Sequence, residues 1–227
     1  MQKLFYLLRD GRNPDGDALR RTLCGQAAAR MRESGAREIT IFASDSDVAA
    51  GKPMLQVDPP ICGMVSFWLE DAADRGPSEA ALSDCVERID GYLVVESRPV
   101  VHAMPTGRRT PGMKQISCIT KRPDISREEF IRIWHGDHRR VAIETQSTFG
   151  YVRNEIFRPL TPDAPMQWDA FVEESFPIEA LTSPLAFYDA TTEAAYQANF
   201  ERMMESCARF LDHGPIEVVF VSEYHLG

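Results

Sequence analysis

What the chain lacks narrows it first. No apolar run approaches the roughly 18 residues needed to cross a bilayer. The opening MQKLFYLLRDGRN has too short an apolar core, and no small-residue cleavage site, for a secretory signal. These absences point to the cytoplasm and to no membrane partner. Positive charge is also short: 25 Lys and Arg stand against 34 Asp and Glu, a net charge of −9, which argues against nucleic acid as a partner. The five cysteines (Cys24, Cys62, Cys85, Cys118 and Cys207) are widely spaced, odd in number and set among apolar residues. Buried free thiols in a reducing compartment are therefore expected, not a disulfide framework or a zinc site. There is no Walker loop, no GxGxxG after a strand, no HExxH and no paired CxxC, so neither a tightly bound cofactor nor a metal is indicated.

What is present suits a globular protein. A chain of 227 residues, 44% hydrophobic and 26% charged, can bury the core of one large or two small domains. KLFYLLR (3–9) reads as a strand, 17–33 as a helix stopped by Gly35, and REITIFA (37–43) as a second strand. A polar connection over 44–60 follows, with Lys52-Pro53 and Pro59-Pro60. Then come a strand over 61–69, a helix opened by Pro77-Ser78, and a strand over 91–101. HAMPTGRRTPG after Val101 has the Pro and Gly content of a linker. Beyond it the order repeats: a strand at 113–121, a helix from Ser126, strands at 149–157 and 167–175, helix over much of 178–212 broken near Tyr188-Asp189, and a strand at 215–224. Each half reads βαββαβ, so the expected class is α+β with two ferredoxin-like repeats: residues 1–101, a linker over 102–112, and 113–227.

The most informative stretch is SREEFIRIWHGDHRR, Ser126 to Arg140. Ser126 stands three residues before Glu129, a capping box. At 100° per residue, Phe130, Ile133, Trp134 and Val141 share an apolar stripe, into which Asp137 and His138 also project. His135 falls to the side, where solvent is the expected neighbour, and Gly136 lies nearly opposite. Polar groups on a buried face must be paired or face a cavity. At an offset of 111 residues the halves align without a gap at their starts. Lys3 meets Lys114, Leu19 meets Phe130, Leu23 meets Trp134 and Gly25 meets Gly136. Gln26 and Ala27, however, stand where the second half has Asp137 and His138. A pair needed only for packing would be expected in both halves, so the asymmetry favours function.

These features carry a resemblance. KRPDISREEFIRIWHGDH, FGYVRNEIF, WDAFVEESF and IEALTSP, in that order over about 113–224, resemble the EthD family of the dimeric α/β-barrel superfamily. Phe130, Trp134 and His138 followed by Gly150-Tyr151 and Asn154 are specific as a set. Asp169-Ala170 departs from the Asp-Gly frequent in that family. The resemblance implies a tandem-duplicated, single-chain barrel, the first half a diverged copy, with a pocket between sheet and helices for a small hydrophobic substrate.

Within that pocket His138 is the candidate acid or base, since imidazole titrates near neutrality. Tyr151 or Asn154 is the candidate oxyanion donor, Trp134 the wall against a ring, and Asp137 the orienting carboxylate. Asp169 and Glu173 share a strand face and offer paired carboxylates. Arg122 and Arg153 could pair with them or anchor a substrate carboxylate. The expected activity is a cofactor-independent lyase or isomerase, by decarboxylation, elimination or isomerisation, on an aromatic or lactone-like molecule. A cofactor-free oxygenase and a non-catalytic carrier of hydrophobic ligands are the alternatives. A homodimer through edge strands or helices is the expected association.

Overall fold

The computed structural model describes residues 1–227. The chain runs β1 (Gln2–Arg9), α1 (Gly16–Thr22), α2 (Ala28–Glu33), β2 (Arg37–Ala43), β3 (Ile61–Leu69), α3 (Gly76–Ser83) and β4 (Arg88–Val100). It continues with β5 (Met113–Lys121), α4 (Arg127–Ile133), α5 (Arg139–Thr145), β6 (Gly150–Pro159), β7 (Ala170–Phe176), α6 (Pro184–Phe187), α7 (Glu193–Ala208) and β8 (Leu211–His225). The eight strands close into one antiparallel barrel, ordered β1-β3-β2-β8-β5-β7-β6-β4. The two four-stranded sheets join through β2 with β8 and β4 with β6. Every strand therefore has two neighbours and the ring offers no edge for strand addition. An association through edge strands is thus corrected: any contact between copies must use side-chain surfaces.

Period-two alternation sorts each strand between two layers. Phe5, Leu7, Phe42, Tyr92, Ile116, Phe171, Val219 and Val221 point inward and fill the barrel. Phe5 stacks on Phe171 at 4.9 Å and on Phe42 at 5.8 Å, tying both halves together at the centre. Leu4, Tyr6 and Leu8 point outward, onto the helices of the first half.

Buried ions close the barrel interior. Arg9 bonds Asp90 and Glu217, both at 2.6 Å, with all three side chains fully buried. Elsewhere Lys3 and Lys114 share Glu173, at 3.4 and 3.1 Å, and each holds a second carboxylate, Glu96 and Glu223 respectively. Burial opposes the charge on Glu173, but Lys114 and Lys3 together hold its carboxyl below the ordinary range. The 102–112 connection is strapped to β8, with Gly107 N–H donating to His225 O and Thr110 N–H to Glu223 O, each at 2.8 Å.

The helical stretches carry a shared irregularity. Between α1 and α2, and again between α4 and α5, the chain makes one wide π-turn, over Leu23–Ala27 and Trp134–His138. The N–H of Ala28 donates to Leu23 O, and that of Arg139 to Trp134 O, each five residues back. Such turns insert a residue and shift which side chains face inward. The Ser126 cap forms as expected, its Oγ accepting from Glu129 N–H at 3.1 Å. Thr192 likewise caps α7, accepting from Ala195 N–H at 3.2 Å.

Candidate active site

In the second half, helix and sheet do not close completely on each other. A cavity of about 340 Å³ lies between the outer face of β5–β8 and the helical layer, and 14 of its 19 lining residues are hydrophobic. Trp134 and His138, at the two ends of the π-turn, form part of its wall, with Tyr151 from β6, Glu174 from β7 and Cys207 from α7. No lysine or arginine lines it. Met54 reaches it from the 44–60 connection of the first half, pinned by two 2.8 Å backbone hydrogen bonds to Val218.

The polar groups here are few and each has a defined state. Trp134 Nε1–H donates to Tyr151 Oη at 2.8 Å, both side chains being buried. The Tyr151 hydroxyl thus accepts from the indole and keeps its own proton for another partner. Burial, reinforced by Glu174, raises its pKa far above the usual phenol value, so it is a neutral donor. His138 Nδ1 lies 3.0 Å from Ser206 Oγ, and the ring packs on Phe210 at 4.6 Å. Burial, with Arg209 nearby, pushes the imidazole down to about 4, so it is neutral at neutral pH. Gln146 Oε1 is buried without a partner.

Glu174 stands apart. Its side chain is nine-tenths buried, no hydrogen bond within the protein reaches its carboxylate, and burial alone lifts its pKa to about 7. Its field reaches the neighbouring Cys207 thiol and Tyr188 phenol, each pushed up to about 12 mainly by burial. A carboxyl without a counter-ion in an apolar cavity, balanced between acid and base near pH 7, has the properties of a general base.

Of the residues marked out from sequence, the fold brings together Trp134, His138 and Tyr151 and separates the others from them. Asp137 is turned outward by the π-turn and pairs with Arg209 at 3.0 Å in solvent. Asn154 lies inside the barrel, on the opposite face of β6 from Tyr151, bonded to Glu173 and Lys3 at 2.8 Å each. Glu173 is there too, as the shared partner of the two lysines. Arg153 packs 5.8 Å over the Trp134 ring but does not line the cavity, its Nε donating to Ser97 Oγ at 3.0 Å. Arg122 is spent at the surface on Asp124 and the Ala208 carbonyl. Asp169 accepts from Lys121 N–H at 2.8 Å and closes a strand end. His135 is not solvated but half-buried against Trp134, and burial with Arg153 and Arg139 pushes it down to about 4.

Glu174 itself escaped sequence reasoning by one residue. Adjacent residues of a strand face opposite layers, so Glu173 and Glu174 must divide between barrel and helices. Both faces of β7 are buried along its whole length, which removes the polar–apolar alternation that would assign them.

The first half is packed differently at the matching ladder positions. At the 111-residue offset Leu4 and Tyr6 correspond to Gln115 and Ser117. Leu4 pairs across the ladder with Phe67, as Gln115 does with Glu174. Tyr6 and Phe67 stack at 5.5 Å, nearly parallel, over Leu23 and Ala27 in a closed core of 21 residues. Its counterpart around Trp134 has only 9.

Residues 122–214 match the family model described as the EthD domain. Among curated proteins nothing matches the chain. Of solved structures, an anthrone oxidase-like protein superposes with a TM-score of 0.53 at 8% identity, covering 100% of this chain and 93% of its own. A mutant chlorite dismutase from Candidatus Nitrospira defluvii gives 0.49 at 9% identity, covering 98% and 90%. At such identities the first match speaks to the fold alone and the second carries no argument.

Proposed function

With residues 122–214 forming an EthD domain as the premise, we propose that this chain is a cofactor-independent enzyme moving a proton on a small, uncharged, mostly apolar substrate. The observation that carries the reading is Glu174, an unpartnered carboxyl buried in an apolar cavity beside a neutral His138. Its carboxylate takes a proton from carbon next to a carbonyl. The Tyr151 hydroxyl, steadied by Trp134, donates to the oxygen on which charge develops. His138, oriented by Ser206, relays the proton now on Glu174, accepting it and passing it on: delivery to another atom of the substrate gives isomerisation, and delivery to a leaving group gives elimination, with Glu174 left as carboxylate in either case. Decarboxylation loses its support, because neither Arg122 nor Arg153 faces the cavity and no other cation lines it.

The same reading takes residues 1–101 and 113–227 as copies of one ferredoxin-like unit joined by 102–112. Matching element order, and π-turns offset by 111 residues, support it. The site then survives in one copy only, the other having been filled by Tyr6 and Phe67.

A second reading begins with the same deprotonation. A carbanion held in a dry, apolar cavity can donate electrons to dioxygen, giving a cofactor-free oxygenase, and the cavity suits O₂ as well as a ring. The test is to incubate uncharged aromatic ketones and lactones with the protein in D₂O, following deuterium uptake and oxygen consumption together. Uptake without oxygen loss supports the isomerase or lyase, and oxygen loss the oxygenase. Neither signal above that of the Glu174→Gln protein would leave a binding protein and refute catalysis.

A further inference from the structure

The cavity beside Glu174 is not the whole of the space. A second chamber of about 590 Å³ adjoins it, and the two share Gln115, Phe187 and Tyr188 as a common wall. Five of the 13 residues lining this outer chamber are aromatic. Tyr188 approaches Tyr196 at 5.5 Å and Phe200 at 5.7 Å, and Phe220 faces them from β8. These rings are half-exposed or exposed, unlike the closed stack of Tyr6 on Phe67 in the first half. The far wall is borrowed from the 44–60 connection through Ala50 and Lys52. Gly51 makes that approach possible, since a Cβ there would lie 2.8 Å from both Leu181 and Phe220.

We propose that the outer chamber is a second binding subsite, so that the substrate is bipartite. A compact, uncharged, carbonyl-bearing head enters the inner cavity, and a second aromatic segment rests on Tyr188, Tyr196 and Phe200. This rests on the acid–base reading of the inner cavity and adds a substrate class to it. Three observations support it. The chambers adjoin, sharing Gln115, Phe187 and Tyr188, which fits one molecule lying across both once those side chains turn. The inner space lies at the small end of the range for ligand sites, and the two chambers together match a larger ligand. The outer walls offer ring faces and edges, against which aromatic groups gain beyond simple area burial, with Lys52, Thr182 and Ser183 at the same walls, whereas the inner walls hold the unpartnered Glu174 with His138 and Tyr151. Binding energy from the remote segment is then available to position the head.

The experiment compares acetophenone, which supplies the head alone, with 4-acetylbiphenyl, which adds the second ring. Binding is followed by tryptophan fluorescence, Trp134 being in the cavity wall. In the wild-type protein the two-ring ligand binds at least tenfold more tightly. In Thr182→Trp and Ala50→Trp, both at exposed rim positions chosen to obstruct the outer chamber without touching the core, that ratio collapses by at least fivefold. If acetophenone binds but the second ring adds nothing, or if the ratio survives both substitutions, the subsite is refuted and the inner-cavity reading stands. If neither ligand binds the wild type, both are refuted.

Discussion

Glu174 concentrates the argument at the level of single residues. Its pKa of about 7 lies above the unfolded value near 4.3. Between those values the folded protein therefore holds more protons than the unfolded chain, and stability falls as pH rises. His138 has the opposite sign: pushed down to about 4, it favours the unfolded state as pH falls below about 6.5. Replacing Glu174 by Gln should accordingly stabilise the protein at pH 8 by about 3–4 kcal/mol, with the gain vanishing near pH 4. Urea denaturation at the two pH values checks this, and a gain independent of pH would place the cause elsewhere. The same substitution should abolish turnover. In the wild type, kcat/KM should rise with pH through a midpoint near 7 set by Glu174. His138→Ala should lower kcat by about 10²–10⁴-fold without moving that midpoint; activity within a few-fold of wild type would remove His138 from the mechanism.

Elements explain what could and could not be read from the sequence. The Ser126 cap, the break before Thr192 and most strand limits follow from local chemistry that tertiary packing leaves intact. Ser126→Ala should cost about 1 kcal/mol of stability, measurable by thermal unfolding. Asp137 was misplaced because a uniform 100° per residue fails at the π-turn over Trp134–His138, where the extra residue swings Asp137 to Arg209 and leaves His138 inside. Hydrophobic periodicity carries no mark of such a turn. Asn154 and Glu173 were misplaced for another reason. In a barrel covered by helices both faces of a strand are buried, so a polar residue facing inward is as hidden as one facing a cavity. What satisfies them, Lys3 and Lys114, comes from distant strands. Lys114→Met should leave Glu173 and Glu223 short of a partner and destabilise the protein by about 3–5 kcal/mol.

At the scale of the molecule, the two halves share an order of strands and helices and differ in how closely they pack. The first is closed around Tyr6, Phe67, Leu23 and Ala27, and the second is open around Ser117, Glu174, Trp134 and His138. The element order of each half was legible from the pattern of strands and helices, and the absence of a matching Trp and His from the first half was legible from the 111-residue offset. The aromatic filling was not, because it depends on cross-strand pairing of Leu4 with Phe67 that no local window contains. Closing the second half in the same way with Glu174→Phe should raise its resistance to unfolding at neutral pH while abolishing ligand binding. The central claim, that Glu174 is the proton-holding group of this cavity, can be measured without any substrate. In the protein labelled with ¹³C at the glutamate side-chain carboxyl, one resonance should titrate near pH 7 and be missing from Glu174→Gln. If every glutamate resonance titrates below about pH 5, the buried carboxyl is an ordinary ion and the account fails.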